Sequence, residues 1–177
     1  MDSQASKQVE WCLRKAEKEL KESIEQKKKA RHRGLLKIEP NKIIALQHID
    51  KSKHFLKGFQ FLRNNDFSDL AVGAGFYSLY HCFLAIATKF GYESKNQTCT
   101  ISLIKSLQEE GKISIKDEII EFMMYEEDQK NYENSVIELR ESYTYGVDLT
   151  VKDEELNKIE KLCIEFIDTV KDIVYKN

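Results

Sequence analysis

The stretch from Phe67 to Gly91, FSDLAVGAGFYSLYHCFLAIATKFG, is the most apolar long segment of the chain and constrains everything packed around it. Leu70, Ala74, Tyr77, His81, Leu84 and Thr88 recur every three or four residues, which predicts a helix with these side chains on one face. Ala71, Phe76, Leu79, Tyr80, Phe83, Ile86 and Ala87 extend the apolar surface nearly all the way round. A helix apolar on most sides is a central one, wrapped by its neighbours. Gly73, Ala74, Gly75, Ser78 and Ala85 are small enough to let those neighbours come close. The length also suits a membrane span, but Asp69, Tyr77, Tyr80, His81 and Lys89 interrupt it with polar groups. It therefore reads as a buried core helix, and no membrane is expected.

The remaining segments read as helices that cover this one. A first helix spans about Ser3 to Lys29, with Val9, Leu13, Ala16, Leu20 and Ile24 as its stripe. Gly34 is expected to mark its stop, and Leu35 to Pro40 reads as a connector. A second helix starts near Asn41, an N-cap after Pro40, with Ile44, His48, Phe55, Phe59 and Leu62 facing the core. Asn64-Asn65-Asp66 is a turn, so the second helix and the apolar one form an antiparallel hairpin. Gly91 supplies a C-cap, and Tyr92 to Thr98 reads as a polar loop. Thr100 to Glu110 follows as a helix with Ile101, Leu103, Ile104 and Leu107 inward, ended by Gly111. The next element begins near Ser114 or Asp117 and closes at Tyr145-Gly146, with the strongly polar Glu126 to Glu133 inside it. A last helix covers about Asp153 to Tyr175, its stripe Leu156, Ile159, Cys163, Phe166, Val170 and Ile173. The expected fold is all-α: an up-and-down antiparallel bundle of about four or five core helices with an extra N-terminal helix. Residues 1–39 form that helix and a basic connector, and residues 40–177 the bundle.

Composition agrees with this. One Pro and seven Gly are too few for a sheet protein built on tight turns. A net charge of -2 gives no global attraction for nucleic acid, so any such binding needs a local patch. The N-terminus, MDSQASKQVEW, has no apolar signal core, which sets a cytoplasmic expectation. The four cysteines, Cys12, Cys82, Cys99 and Cys163, are far apart in sequence and form no CxxC pair. They are read as small buried hydrophobes in a reducing compartment.

Several familiar chemistries are missing from the sequence. There is no phosphate-cradling glycine loop, no HExxH and no GxSxG. The histidines are scattered without metal-ligand spacing, so neither a metal nor a cofactor is expected. His48 and His81 fall within apolar stripes and read first as hydrogen-bonded structural residues, with His81 the alternative candidate for a general base. The basic run Lys27, Lys28, Lys29, Arg31, His32 and Arg33 follows a helix end, where cations favour the macrodipole; the functional alternative is a phosphate-contacting patch. The informative stretch is Glu138 to Gly146, ELRESYTYG. It puts the Arg140 guanidinium beside an apolar stripe near a helix end, one turn before Tyr143 and Thr144. A buried Arg must meet an acid, a carbonyl or a ligand anion, and its planar fork suits phosphate. Pairing with an internal carboxylate is the plain reading of the same residue.

Several segments together resemble a known family. These are His48-Ile49-Asp50-Lys51-Ser52, Asp66 to Val72, the Tyr-rich Phe76 to His81, Lys89 to Asn96, and Glu138 to Val147. In order and spacing they are similar to the HEPN domain (higher eukaryotes and prokaryotes nucleotide-binding) over about Pro40 to Val174. The resemblance implies a helical bundle, often a homodimer. It also implies, in many members, a metal-independent RNase acting as the toxin of a toxin–antitoxin pair with a small nucleotidyltransferase partner. The family signature is an Arg, a polar neighbour, a short spacer and a His. Arg140 matches the Arg, but Tyr145 stands at the first permitted place for the His, and no His follows Arg140. With a reference pKa of about 10, Tyr is a poor general base at neutral pH.

The leading expectation is thus a HEPN-like protein, non-catalytic or weakly active, that binds a nucleotide or RNA. Arg140 would hold phosphate. Tyr143 and Tyr145 would stack or donate hydroxyl contacts, and Lys95, Asn96 or the Lys27–Arg33 run would add polar and positive groups. The alternatives are a metal-independent endoribonuclease using Arg140 with Tyr145 in place of His, and a helical interaction module with no nucleic-acid ligand.

Overall fold

The structure, a computed structural model, describes residues 3–124 and 136–176. Seven helices and two short strands are found among them: α1 (Gln4–Glu25), β1 (Leu35–Lys37), α2 (Lys42–Arg63), α3 (Ser68–Lys89), β2 (Tyr92–Ser94), α4 (Gln97–Glu109), α5 (Asp117–Phe122), α6 (Val136–Tyr145) and α7 (Asp153–Tyr175). The fold is an all-α helical bundle, as the periodicities require. The polar Glu126–Glu133 segment, expected within one element, lies outside the described residues, and α5 and α6 are the pieces on either side of it.

α3 is the central helix: α2, α7, α6 and α4 all pack against it. It is the one described helix long and apolar enough to cross a membrane, and 61% of its most apolar window is buried inside the bundle. Two of its small residues, Gly75 and Ser78, admit close neighbours as expected, whereas nothing stands within 4 Å of where a Cβ at Gly73 would lie. Ser52 and Ser78 are fully buried and clasp α2 to α3, the Ser52 hydroxyl donating to the Ser78 carbonyl at 2.7 Å and the Ser78 hydroxyl to the Ser52 carbonyl at 3.0 Å. These reciprocal bonds satisfy two hydroxyls that would otherwise be costly to bury. Gly75 leaves room for α7: a Cβ there would stand 2.4 Å from Ile159 Cγ2. Phe83 and Phe166 meet at 4.9 Å between ring centroids across the α3–α7 seam.

Which faces point inward differs from the sequence reading. The α3 face of Leu70, Ala74, Tyr77, His81, Leu84 and Thr88 is its least buried one, with Leu70 55% and Tyr77 42% exposed, and only Thr88 at its end is buried. On α2 the buried positions are Ala45, Ile49, Ser52 and Phe59, whereas Ile44 is 40% exposed and His48, Phe55 and Leu62 are half-buried. On α1, Ile24 is exposed. Periodicity finds an apolar stripe. On a helix apolar all round, only the placement of its neighbours decides which stripe is covered.

The ends of α1 and α3 also differ. α1 stops at Glu25, before the basic run. Its end is a Schellman turn: Lys28 N–H bonds the Ser23 carbonyl at 2.9 Å and Lys27 N–H the Ile24 carbonyl at 3.0 Å, with Lys27 at φ 51°. Gly34 therefore stops no helix. It lets the connector cross α1, where a Cβ would stand 2.4 Å from the Cys12 carbonyl oxygen. The connector and the supposed polar loop pair as an antiparallel two-stranded ribbon, Leu35 opposite Ser94 and Lys37 opposite Tyr92. Strands of three residues carry no period that could announce them.

The cysteine reading is corrected as well. Cys12 on α1 and Cys99 on α4 form a disulfide across a sequence separation of 87, while Cys82 and Cys163 are free and buried. With β1–β2, this bond fastens α1 to its own bundle at α4.

Candidate functional site

Arg140 sits on α6, which packs on α3. Its guanidinium carbon lies 4.6 Å from the centroid of the Phe76 ring, over its face, a cation–π contact. Phe76 is buried, meets Tyr77 edge-on at 5.2 Å and stacks with Tyr80 at 6.0 Å. Nη2 of Arg140 is 3.3 Å from Oε1 of the adjacent Glu141, and the side chain is 24% exposed. Nε and Nη1 have no acceptor among the described residues, yet neither is a buried orphan. Among the described residues the guanidinium is thus neither sealed against an internal acid nor loose in solvent. It lies against an aromatic ring, and two of its nitrogens have no described acceptor.

The other α6 candidates are placed differently. Tyr143 packs partly against the core, and burial, with the Glu155 and Asp148 charges, pushes its hydroxyl pKa up. One carboxylate oxygen of Glu155 is itself buried without a partner among the described residues. Tyr145 is 83% exposed at the end of α6. Five helical positions after Arg140, it points about 140° away around the axis, so the two do not converge.

Lys95 and Asn96 lie elsewhere, at the turn between β2 and α4. The Asn96 side-chain oxygen is committed to capping α4, accepting from Cys99 N–H at 2.9 Å. Lys95 Nζ is 2.8 Å from Glu93 Oε1, and its amide donates to the Gly34 carbonyl at 3.2 Å. The same turn meets the basic run. His32, buried to 4% exposure, accepts the Gly34 amide on Nδ1 at 3.4 Å, which leaves Nε2 to donate to Glu93 at 3.2 Å. Lys95, Lys29, Arg31 and Arg33 line one cleft of about 740 Å³ beside Glu19 and Glu22. Arg140 is not part of it.

One pair was missed by sequence reasoning. His48 and His81 face each other with Nδ1 atoms 3.0 Å apart. One imidazole must donate and the other accept, so the two hold complementary neutral tautomers. Burial lowers the pKa of both; His81 falls to about 4, helped by the like charges of His48 and Lys51. Phe55 stacks on His81 at 5.4 Å and on Tyr77 at 5.3 Å. The signal was present, since each His lies in a stripe of one arm of the hairpin, but nothing local says that the stripes meet. Burial pushes the Cys82 thiol up to about 12 and Cys163 higher still, which removes both as nucleophiles at neutral pH. The described residues contain no group of three or more His, Cys, Asp or Glu able to hold a metal ion.

Comparison with protein-family models and with curated proteins gives no match for this chain.

Proposed function

We propose that this chain is a HEPN-like protein that binds a nucleotide or RNA through Arg140, without the family's RNase chemistry, and works as a homodimer. The observation that supports the reading is the state of Arg140: a fork set on Phe76, with one nitrogen on Glu141 and the other two without an acceptor among the described residues. An arginine serving only to tie helices would be consumed, as Arg63 is by Glu160 and Asn157. A small nucleotidyltransferase partner, in a toxin–antitoxin arrangement, rests on the resemblance alone. A cytoplasmic setting belongs to the same reading. The Cys12–Cys99 bond counts against it, because disulfides persist mainly in oxidising compartments.

The homodimer draws on the apolar stripe of the α2–α3 hairpin, exposed Ile44, Leu70 and Tyr77 with half-buried Phe55, which an isologous contact would cover. The RNase alternative has less support, because Tyr145 diverges from Arg140 and no histidine stands beside the guanidinium.

Titration of the wild type and Arg140→Ala with ATP and with a short RNA tests the reading. Loss of one phosphate contact should weaken binding at this site about tenfold. Equal affinity in both proteins, or none in either, removes it.

A further inference from the structure

We infer that the cleft between the end of α1 and the β2–α4 turn is a second binding site, for the phosphate of a nucleotide unit, free or within a strand. The choice of nucleotide phosphate over other anions rests on the function proposed above; the site itself lies largely outside the segment that carries the family resemblance. At about 740 Å³ the cleft is of the size that takes a small organic ligand.

Its charges divide into anchored and uncommitted ones. Glu19 accepts the Arg33 amide and lies 3.4 Å from Arg33 Nε, so these two offset each other. Glu22 lies 3.8 Å from Lys18, outside the cleft. Lys95 is held by Glu93, whose carboxyl stays below its usual pKa chiefly through the Lys95 hydrogen bond. Lys29 and Arg31 have no carboxylate partner among the described residues. Nor are they spent on the helix end, because the Schellman turn already satisfies the Ser23 and Ile24 carbonyls. Two uncommitted cations beside two oriented ones give an excess of positive charge in a concavity, and the Arg31 fork suits a phosphate's paired oxygens.

The walls are fixed before any ligand arrives. The Cys12–Cys99 disulfide, the β1–β2 pairing, the Lys95 amide on Gly34 and the buried His32–Glu93 contact all join α1's side of the cleft to α4's. A site held by long-range bonds loses less ordering entropy on binding.

Isothermal titration of the full oxidised chain with ATP, inorganic phosphate and a short oligouridylate tests the site. Two ATP events per chain are expected. The double reversal Lys29→Glu/Arg31→Glu should remove one, Arg31→Lys should weaken that same event only partly, and Arg140→Ala should leave it intact. Both reversed side chains are exposed, so circular dichroism should be unchanged. Binding of oligouridylate at the cleft with ATP ignored supports the site and assigns the phosphate to a strand. Inorganic phosphate binding as tightly as ATP overturns the nucleotide assignment. Unchanged titrations in the double reversal overturn the cleft while leaving the Arg140 reading standing. Loss of every event in Arg140→Ala alone also overturns the cleft, and a silent wild type ends both.

Discussion

The α2–α3 hairpin has two sides, and they behave as opposites. On one side α7 closes over it: Gly75 admits Ile159, Phe83 meets Phe166, and Arg63 is locked by Glu160 Oε2 at 2.9 Å and Asn157 Oδ1 at 2.7 Å. On the other side run Leu70, Tyr77, Phe55, Ile44 and the His48–His81 pair, half-buried or exposed, with none of the described helices fully over them. The two sides are similarly apolar in sequence. The difference teaches that apolar character marks a surface to be covered but does not name the cover.

The contrast can be broken most directly at Gly75. Gly75→Ala pushes a methyl into Ile159 on the closed side, and overpacking of this kind costs about 2–3 kcal/mol. At about 2–4 °C per kcal/mol for a chain of this length, the melting temperature should drop by several degrees; an unchanged melt would mean that the α3–α7 seam is not as tight as described. Arg63→Ala is next. It removes the donors to Glu160 Oε2 and Asn157 Oδ1 in a partly solvated position, for about 1–2 kcal/mol by urea denaturation. Arg140→Ala should cost less than that in the same assay, and equal losses would erase the distinction between a locked and an available arginine.

The open side has its own signature in pH. His81 holds a pKa of about 4 in the fold against 6.5 for an ordinary histidine, chiefly through burial, and His48 is lowered too. Between those values the unfolded chain binds protons that the folded chain refuses. Stability is therefore fullest above pH 6.5 and declines as the pH falls toward about 4. His81→Gln should flatten that decline when urea midpoints are compared at about pH 5 and about pH 7.5, and equal wild-type midpoints would contradict the burial of the pair. The smallest stability effect belongs to Leu70→Glu. At an exposed position it should change folding free energy by less than about 0.5 kcal/mol. Sedimentation should nonetheless show the dimer lost, and an unaltered dimer mass would move the contact off this stripe.

Much of the fold was legible because it is written locally. The α2 start follows from Asn41 beside an apolar period, the hairpin turn from Asn64-Asn65-Asp66, and the α7 stripe from Leu156, Ile159, Cys163, Phe166, Val170 and Ile173, all buried but the half-buried Ile173; α4 instead begins at Gln97, inside the supposed polar loop. The candidate site was legible only in part. Arg140 stands out in sequence because a guanidinium interrupts an apolar stripe, but Asn96 looked equally available until its amide was found capping α4. Lys95 and the basic run read as separate features, though they line one cleft.

The sequence by itself determined the helices, several of their ends and their apolar stripes, since each depends on residues within a few positions of one another. Only the tertiary structure decided which stripe α7 covers, that Cys12 finds Cys99, that two three-residue strands pair, and that His48 meets His81. Those are contacts between distant segments. They are fixed by how whole helices pack, a balance of covered area and chain entropy that no local period encodes.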